Sequence, residues 1–376
     1  MKHLALFILV IHCFLFSSYS RSADKLIRPI EQPIHVVFLV PEPEGVEFWD
    51  LMLTVMKAAQ KDLNIELEVI HFSDVDYPYN KIIKRLEDVT KRKNKPDYII
   101  SYLYLDFERQ ILDIIEKNKV NYFSINSFIP LSLFNKLGKP REQYRYWLGH
   151  ISPNDIRVGE MLTLYLFKTA KVRKKQKNIR LLAIAAQQNN LVSEHRRTGL
   201  MQAVNRQPEI NLVDLVYSDW LSASAEIKAK ALLAKHQNIS IFWNVSIGTA
   251  IGTIQAIKQQ PLTLGKDIFV GGIDWTVQAI NAIKGGEMEV SFGGHFLDGA
   301  KVLILLYDHF HGADFIDKIG PVIETKLRAI NKQNVLFFEA KLTNPQWHKL
   351  NFKKFSLFEN KSASRYNFET EYFFKF

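Results

Sequence analysis

The sequence predicts an α/β protein with two doubly wound, Rossmann-like lobes, each built on a parallel sheet and joined to the other by a hinge. Continuous apolar runs such as Ile34–Val40 are typical of parallel strands that are buried on both faces. Segments with apolar residues at helical spacing, such as Asn80–Arg92, alternate with these runs. The alternation breaks over Asn126–Arg145 and then resumes, so we expect a crossing between two similar halves at that point.

The amino terminus, residues 1–20, predicts a cleaved secretory signal. Lys2 precedes the apolar block Leu4–Ile11, and small residues follow up to Ser20, near which we expect cleavage. The block is too short to span a bilayer. Cys13 is the only cysteine of the chain and lies inside this segment, so the mature chain is expected to carry no thiol. A lipoprotein signal is the alternative interpretation of Cys13.

The first lobe is predicted to comprise residues 33–128 together with residues 294–312, which contribute a helix over 299–310 after a return crossing at 293–296. Its first part alternates strands and helices. The predicted strands are 34–40, 67–72, 98–103 and 121–125, and the predicted helices are 48–59, 80–92 and 108–117.

The second lobe is predicted to comprise residues 145–293 and 313–342, and an aromatic and basic tail follows over 343–376. The predicted strands are 179–185, 211–217, one that begins at 241, 267–273, 288–292, 322–325 and 334–338, and the predicted helices are 156–167, 193–204, 222–236, 249–257 and 277–283. The tail is expected to pack along one lobe.

The distribution of charged residues does not indicate a nucleic-acid-binding protein. The net charge is +10, but the basic residues are scattered apart from one run, Lys171–Lys177. We interpret that run as a solvated helix end or loop, with a membrane or partner patch as the alternative. No aromatic-plus-glycine RNA signature, phosphate loop or zinc spacing is found in the sequence. We therefore expect no nucleic-acid partner, no cofactor and no metal.

The stretch after residue 241 carries a resemblance to a known family. It has the order Asn-x-Ser, Ala-x-Gly, then Lys-Asp-Ile-x-Val-x-Gly-x-Asp and Ala-Ile-x-x-Gly, ending at Gly286. This order resembles the periplasmic sugar-binding proteins of the ribose type, and among them the branch of the quorum-sensing autoinducer receptors. The resemblance implies the periplasmic binding protein type I fold, with a hinge that closes two lobes on a small polar, sugar-like ligand.

The same resemblance implies a monomeric, non-enzymatic protein of the periplasm whose partner is a protein of the inner membrane. That partner is the permease of an ABC importer, or alternatively a sensor kinase or cyclic-dinucleotide enzyme to which the protein reports its ligand. A transcriptional repressor with this core is excluded, because a secretory signal stands where the DNA-binding head would be.

In the first lobe, the resemblance places candidate ligand contacts just beyond the strand ends. Phe48 and Trp49 match two consecutive aromatics, and Trp49 is the preferred platform because of its size. Asn126 matches an amide that holds ligand at the first crossing. Glu44 and Asp106 match further contacts, although an exposed turn acid and a helix cap, respectively, explain them equally well.

In the second lobe, Arg196 matches an Arg-x-x-Gly pattern, and its planar fork of donors suits vicinal hydroxyls or a carboxylate. Asp274 matches the ligand-binding aspartate of the family. The usual Asn-Asp pair is absent and Ser246 occupies that place with Asn244 nearby, which indicates a ligand other than a simple pentose. His295 stands where the ribose type has a glutamine, with a hinge histidine as the alternative.

A secreted serine hydrolase is the remote alternative. Asn244–Gly248 is similar to a nucleophile elbow around Ser246, and Asp274 and His295 follow in the order found in hydrolases. The first glycine of that motif is missing, however, and an asparagine would crowd the sharp turn. We therefore favour a binding protein.

Overall fold

Two six-stranded sheets form the frame of the described part of the chain, which in this computed structural model comprises residues 32–71, 78–104, 106–188 and 190–375. The predicted signal segment, residues 1–20, lies outside these ranges. Residues 33–376 form a single compact unit in which each sheet is flanked by helices and serves as the centre of one lobe. No helix in the described ranges is both long and apolar enough to cross a bilayer.

The first sheet is parallel throughout, and its four inner strands are buried because helices cover both faces. Its spatial order is β11 (Val322–Thr325), β5 (Trp147–Pro153), β4 (Asn121–Ile125), β3 (Tyr98–Tyr102), β1 (Ile34–Val40) and β2 (Ile65–His71).

The second sheet is parallel except for one edge strand, which runs antiparallel to its neighbour. Its spatial order is β12 (Arg328–Asn331), β10 (Val290–Gly293), β9 (Phe269–Ile273), β8 (Ile241–Asn244), β6 (Ile179–Ala185) and β7 (Ile210–Tyr217).

Helices connect the strands in both lobes. They are α1 (Glu47–Asp62), α2 (Pro78–Thr90), α3 (Glu108–Asn118), α4 (Leu131–Leu137), α5 (Asp155–Lys174), α6 (Leu191–Arg206), α7 (Ser222–Lys235), α8 (Ile247–Lys258), α9 (Val277–Lys284), α10 (Asp298–Phe310), α11 (Ile316–Ile319), α12 (Val335–Leu342) and α13 (Thr370–Phe373). Several begin at polar side chains that accept a hydrogen bond from the first turn, as Asn154, Asn190, Ser246 and Thr276 do for α5, α6, α8 and α9.

The lobe boundaries differ from the sequence expectation. Residues 145–153 were expected to open the second lobe, but β5 pairs with β4 and belongs to the first sheet. The polar residues of β5 made it hard to recognise as a buried strand from the sequence. In the structure His150 is buried because it shares hydrogen bonds with the hydroxyls of Ser124 and Ser152. β11 also joins the first sheet, whereas the sequence predicts that residues 313–342, which include it, belong to the second lobe. In the described ranges the chain therefore crosses between sheets after β5, after β10 and again before β12.

The prediction of a strand over 334–338 is wrong, since this segment opens helix α12. Four consecutive apolar residues suggested a strand, but burial follows the helical period. Val335, Phe338 and Leu342 are buried, whereas Leu336 and Phe337 are exposed. Short apolar runs do not distinguish a strand from a helix until the residues beyond them are counted.

The carboxy-terminal tail packs mainly on the first lobe, against α1 and α10. Asp308 of α10 is fully buried and accepts hydrogen bonds from the hydroxyl of Ser356, the backbone N–H of Leu357 at 2.7 Å and the hydroxyl of Tyr366 at 2.8 Å. The last helix then pairs Glu371 with Arg328, which lies on β12 of the second sheet. The tail is thus anchored to both lobes.

The basic run Lys171–Lys177 marks the end of α5, where the side chains meet acceptors of the same lobe. Lys171 pairs with Glu209 at 2.7 Å, Arg173 pairs with Glu289 at 2.8 Å, and Lys174 donates to the backbone carbonyl of Asp267 at 2.8 Å. Basic side chains are favoured at the negative end of a helix dipole. These contacts support the interpretation of the run as a helix end.

Candidate ligand-binding site

A cavity of about 520 Å³ lies between the lobes, where the carboxyl ends of strands from both sheets meet. This is the location at which open α/β sheets bind ligands, because the loops that follow the strands converge there. Seven of the ten residues proposed from the sequence line it: Phe48, Trp49, Asn126, Arg196, Ser246, Asp274 and His295.

The aromatic pair of α1 forms one wall of this cavity. Trp49 is buried and packs against Phe38 of β1 with ring centroids 6.2 Å apart, so it also belongs to the core. Phe48 is partly exposed, meets Trp49 edge to face at 5.1 Å, and lies 4.6 Å from the ring of His295. The wall therefore presents an apolar face beside polar groups, a combination suited to a sugar ring.

Asn126 follows β4 directly and is held in an unusual backbone conformation. Its φ of 68° lies in the left-handed region, which asparagine tolerates better than most residues. The backbone N–H of Asn126 donates to the carbonyl of Ile151 on β5 at 2.9 Å. The side-chain Oδ1 is buried and has no hydrogen-bond partner among the described residues. A buried acceptor of this kind is costly unless a ligand or water satisfies it.

Arg196 is tied into the wall of the second lobe by three acceptors. Its Nε donates to Asp155 at 2.9 Å, its Nη1 donates to the carbonyl of Val245 at 2.9 Å, and its Nη2 lies 3.8 Å from Asp274. Arg196 is only 2% exposed. Its positive charge is therefore already matched by carboxylates of the protein.

The glycine of the Arg-x-x-Gly pattern explains how this contact forms. A Cβ on Gly199 would lie 1.9 Å from the carbonyl oxygen of Ile156 on α5, so only glycine lets α6 approach so closely. That approach brings Arg196 within reach of Asp155 in the first turn of α5. Burial raises the pKa of Asp155, and the guanidinium offsets part of this rise.

Asp274 and His295 lie close together where the chain leaves the second sheet after β10. The His295 Nε2 lies 3.3 Å from the Asp274 Oδ1, and the His295 Nδ1 is buried with no hydrogen-bond partner among the described residues. Asp274 has a φ of 91°, an uncommon value for a non-glycine residue. Burial opposes ionisation of Asp274, but Arg196 and His295 together hold its pKa below the ordinary value.

Two glutamates in or near α1 face groups of the second lobe. Glu47 accepts hydrogen bonds from the backbone N–H groups of Val277 at 2.7 Å and Gln278 at 3.4 Å, so a first-lobe carboxylate caps α9 of the second lobe. Burial raises the pKa of Glu47 by more than these hydrogen bonds lower it. Burial also raises the pKa of Glu42 to about 7, and the carboxylate of Asp219 in the second lobe adds to the rise.

The structure places three of the sequence candidates outside the cavity. Asn244 is fully buried, with its amide nitrogen bonded to the carbonyls of Phe242 and Gly271 and its Oδ1 accepting from Thr253. Glu44 has an 87% exposed side chain, and Asp106 is also exposed. Neither carboxylate is among the residues that line the cavity.

Ser246 lines the cavity but has the features of a helix cap. Its hydroxyl is paired with Thr249 in a capping box at the start of α8. Its φ of −148° is ordinary extended backbone, whereas a nucleophile elbow places its serine on a strained turn. This geometry counts against the hydrolase alternative.

Sequence reasoning missed several cavity residues that follow strand ends or begin helices. They are Glu42, Glu47, Tyr102, Tyr104, Gln187, Asn190, Trp220 and Gln278. Trp220 could have been found, because it lies three residues after the end of a predicted strand and is a large aromatic in a short loop. In the structure it has a φ of 72°.

Comparison with known proteins gives a family match over most of the chain. The family described as "Periplasmic binding protein domain" matches residues 36–300. The galactofuranose-binding protein YtfQ of Escherichia coli is 30% identical over 103 residues, which cover 27% of this chain and 32% of that protein. The chain thus matches about a third of the length of this relative.

Solved structures resemble the fold over a longer range. A periplasmic sugar-binding protein from Pseudomonas fluorescens aligns with a TM-score of 0.81 and 23% identity, covering 91% of this chain and 100% of the other. The periplasmic component of the arabinose ABC transporter from Shewanella sp. ANA-3, bound to L-arabinofuranose, aligns with a TM-score of 0.67 and 17% identity, covering 82% and 95%.

Proposed function

The chain belongs to the periplasmic binding protein family, and from this premise we propose that it binds a neutral sugar in the cavity between its lobes. The protein acts by binding and release, without altering its ligand. We propose that it works in the periplasm after removal of the amino-terminal signal, and that it delivers the sugar to the permease of an ABC importer. Its relatives named for galactofuranose and for arabinose transport support this assignment.

The observation that carries the proposal is a pair of buried polar atoms at the cavity wall. Asn126 Oδ1 and His295 Nδ1 have no hydrogen-bond partner among the described residues, and both residues line the cavity beside Phe48. Leaving such atoms unpaired costs about 1–3 kcal/mol each. A sugar hydroxyl both donates and accepts, so it can satisfy either atom, and the C–H face of the ring can pack on Phe48.

The charges in the cavity favour a neutral ligand over an acidic one. Arg196 is the cationic side chain that would attract a carboxylate, but it is paired with Asp155 and lies 3.8 Å from Asp274. Among the described residues that line the cavity, no arginine or lysine other than Arg196 stands near Asp274 to attract an anionic sugar. We therefore assign hydroxyl recognition, and not carboxylate recognition, to the Arg196 and Asp274 pair.

The test is a thermal-shift screen of the mature chain, followed by calorimetry, with neutral pentoses and hexoses and with the matching uronic acids. Binding raises the melting temperature as occupancy increases. We expect a neutral sugar to bind, its uronic acid to bind at least tenfold more weakly, and Asn126→Ala to weaken the neutral sugar. Asp106→Asn, at an exposed position outside the cavity, is the control and should bind as the wild type does.

The proposal is wrong if no sugar of the panel raises the melting temperature. It is also wrong in its charge argument if the uronic acid binds better than the neutral sugar.

A further inference from the structure

We propose that the cavity contains a second subsite that accepts a ring-sized substituent on the sugar, so that the preferred ligand is a glycoside and not a free monosaccharide. This inference rests on the proposed sugar-binding function and specifies its ligand class. It follows from the size of the cavity, from the apolar composition of one wall, and from the conformation of Trp220.

The cavity is larger than one sugar ring requires. At the packing density of organic solids, a hexose fills roughly 200 Å³. The cavity measures about 520 Å³, so more than half of its volume remains when a single ring is bound. A binding protein that encloses its ligand closely would not leave that volume to solvent, because most of a bound ligand's surface is buried in such sites.

Three polar residues of the cavity lie close together. Asp274 is within 3.3 Å of His295 and 3.8 Å of Arg196, and the His295 ring contacts Phe48 at 4.6 Å. These groups match a single sugar ring, with several hydroxyl partners and one apolar face.

Four further lining residues form an aromatic and aliphatic wall. Tyr102 ends β3 and Tyr104 follows it; each is 5% exposed, and their rings meet edge to face with centroids 4.9 Å apart. Val192 of α6 is buried in the same hydrophobic cluster, and Trp220 packs against that cluster from the second lobe. All four residues line the cavity. This wall suits an uncharged group with an apolar face, such as a second sugar ring or an aryl group.

The backbone holds Trp220 against the cavity at an energetic cost. A φ of 72° is unfavourable for a bulky residue. The turn is fixed by Asp219, whose Oδ1 accepts the N–H of Leu221 at 3.2 Å, and by Gly248, where a Cβ would lie 2.2 Å from the Trp220 carbonyl. Strain of this kind persists where the surrounding structure specifies the position of a side chain.

Leu221 shows where the second subsite leads. It lines the cavity yet is 55% exposed, so it lies at the mouth. The apolar wall thus runs from the buried tyrosines to solvent. A substituent on the sugar can therefore extend along this wall without meeting a closed end.

The experiment compares matched pairs of ligands by calorimetry with the mature wild-type chain. The probes are D-galactose, D-glucose and L-arabinose, each tested as the free sugar and as its p-nitrophenyl glycoside, with lactose as a glycoside whose second unit is a sugar. For the sugar that binds, we expect the glycoside to bind at least tenfold more tightly than the free sugar. Trp220→Ala should remove this advantage, so that the variant binds the glycoside and the free sugar with affinities within about threefold of each other.

Leu221→Ala serves as a second variant in case Trp220→Ala fails to fold, because Leu221 is exposed and its truncation disturbs little of the core. It should reduce the advantage of the glycoside several-fold. Ile227→Ala is the control, since Ile227 is 67% exposed on α7 of the same lobe and does not line the cavity.

Equal affinities for free sugar and glycoside overturn the second subsite while leaving the proposed function intact. An advantage of the glycoside that survives in both Trp220→Ala and Leu221→Ala also overturns it, because the gain then comes from elsewhere. Absence of binding to every probe, free or substituted, contradicts the sugar-binding proposal itself.

Discussion

Replacing Arg196 with alanine is expected to destabilise the whole protein and not only its ligand binding. The substitution removes the guanidinium that pairs with Asp155 at 2.9 Å and donates to the carbonyl of Val245. Asp155 is fully buried in the first turn of α5, so its carboxylate would be left without a counter-charge in a region closed to water. Asp274 would lose a cation at 3.8 Å as well.

The magnitude follows from that burial. Removing one partner of a buried ion pair costs about 3–5 kcal/mol, because the remaining charge stays desolvated. The orphaned carbonyl of Val245 adds about 1 kcal/mol. If Asp155 is changed to asparagine in the same chain, the uncompensated charge disappears, and we expect the double variant to recover about 2 kcal/mol of the loss.

The assay is urea unfolding followed by tryptophan fluorescence and far-ultraviolet circular dichroism on the wild type, Arg196→Ala, Asp155→Asn and the double variant. Arg197→Ala is the matched control, because Arg197 is the next residue on α6 and pairs with Glu194 in a partly exposed contact at 2.9 Å. Its loss should cost at most about 1 kcal/mol. A loss below 1 kcal/mol in Arg196→Ala, or a double variant that is no more stable than Arg196→Ala, would refute the reasoning.

The remaining predictions concern Glu47, Glu42 and Asp308. Glu47→Gln removes the carboxylate that caps α9 across the cleft, so we expect about tenfold weaker sugar binding by calorimetry and a larger radius of gyration in X-ray scattering, with Asp50→Asn on the same helix as the control. Glu42→Gln removes a carboxyl group whose pKa is raised by folding from 4.5 to about 7. The folded protein therefore loses stability as the pH rises through this range, because Glu42 ionises more easily in the unfolded chain. The wild type should therefore lose up to about 2 kcal/mol of stability relative to Glu42→Gln between pH 5 and pH 8, after allowance for solvent screening. Asp308→Ala leaves the buried hydroxyl of Ser356 without its acceptor and should lower the unfolding free energy by about 3 kcal/mol, measured in urea.

Each of these predictions can fail clearly. Unchanged affinity and unchanged scattering in Glu47→Gln would show that the contact does not hold the lobes together. Parallel pH profiles for the wild type and Glu42→Gln would contradict the raised pKa. An Asp308→Ala variant as stable as the wild type would show that the tail contributes little to the fold.

Local patterns in the sequence determined the fold class and the place of the site. The apolar runs have the length and the composition of parallel strands, and helical spacing lies between them, so two wound sheets follow from periodicity alone. Ligand groups in such sheets follow the strand ends, and the resemblance to a sugar-binding family then singled out Phe48, Trp49 and Asn126, all three of which line the cavity.

The same argument failed where orientation mattered. Asn244 also stands at a strand end, but it is the last residue of β8 and its side chain is held inside the lobe by Phe242, Gly271 and Thr253. Which face a side chain takes at the end of a strand depends on the neighbouring strands. β5 was assigned to the wrong lobe for a similar reason, because its polar residues are satisfied by partners that the sequence does not place beside it.

The sequence by itself determined that two wound sheets present polar and aromatic residues at their strand ends, since this depends on the spacing of residues close together in the chain. Only the tertiary structure decided the charge and the size of the site. Arg196 is neutralised by Asp155, which lies 41 positions away, and the cavity gains an apolar wall when Trp220 of one lobe packs against the cluster that contains Tyr102 of the other. Electrostatic pairing and packing act over a few ångströms in space, and no local pattern encodes which distant residues come that close.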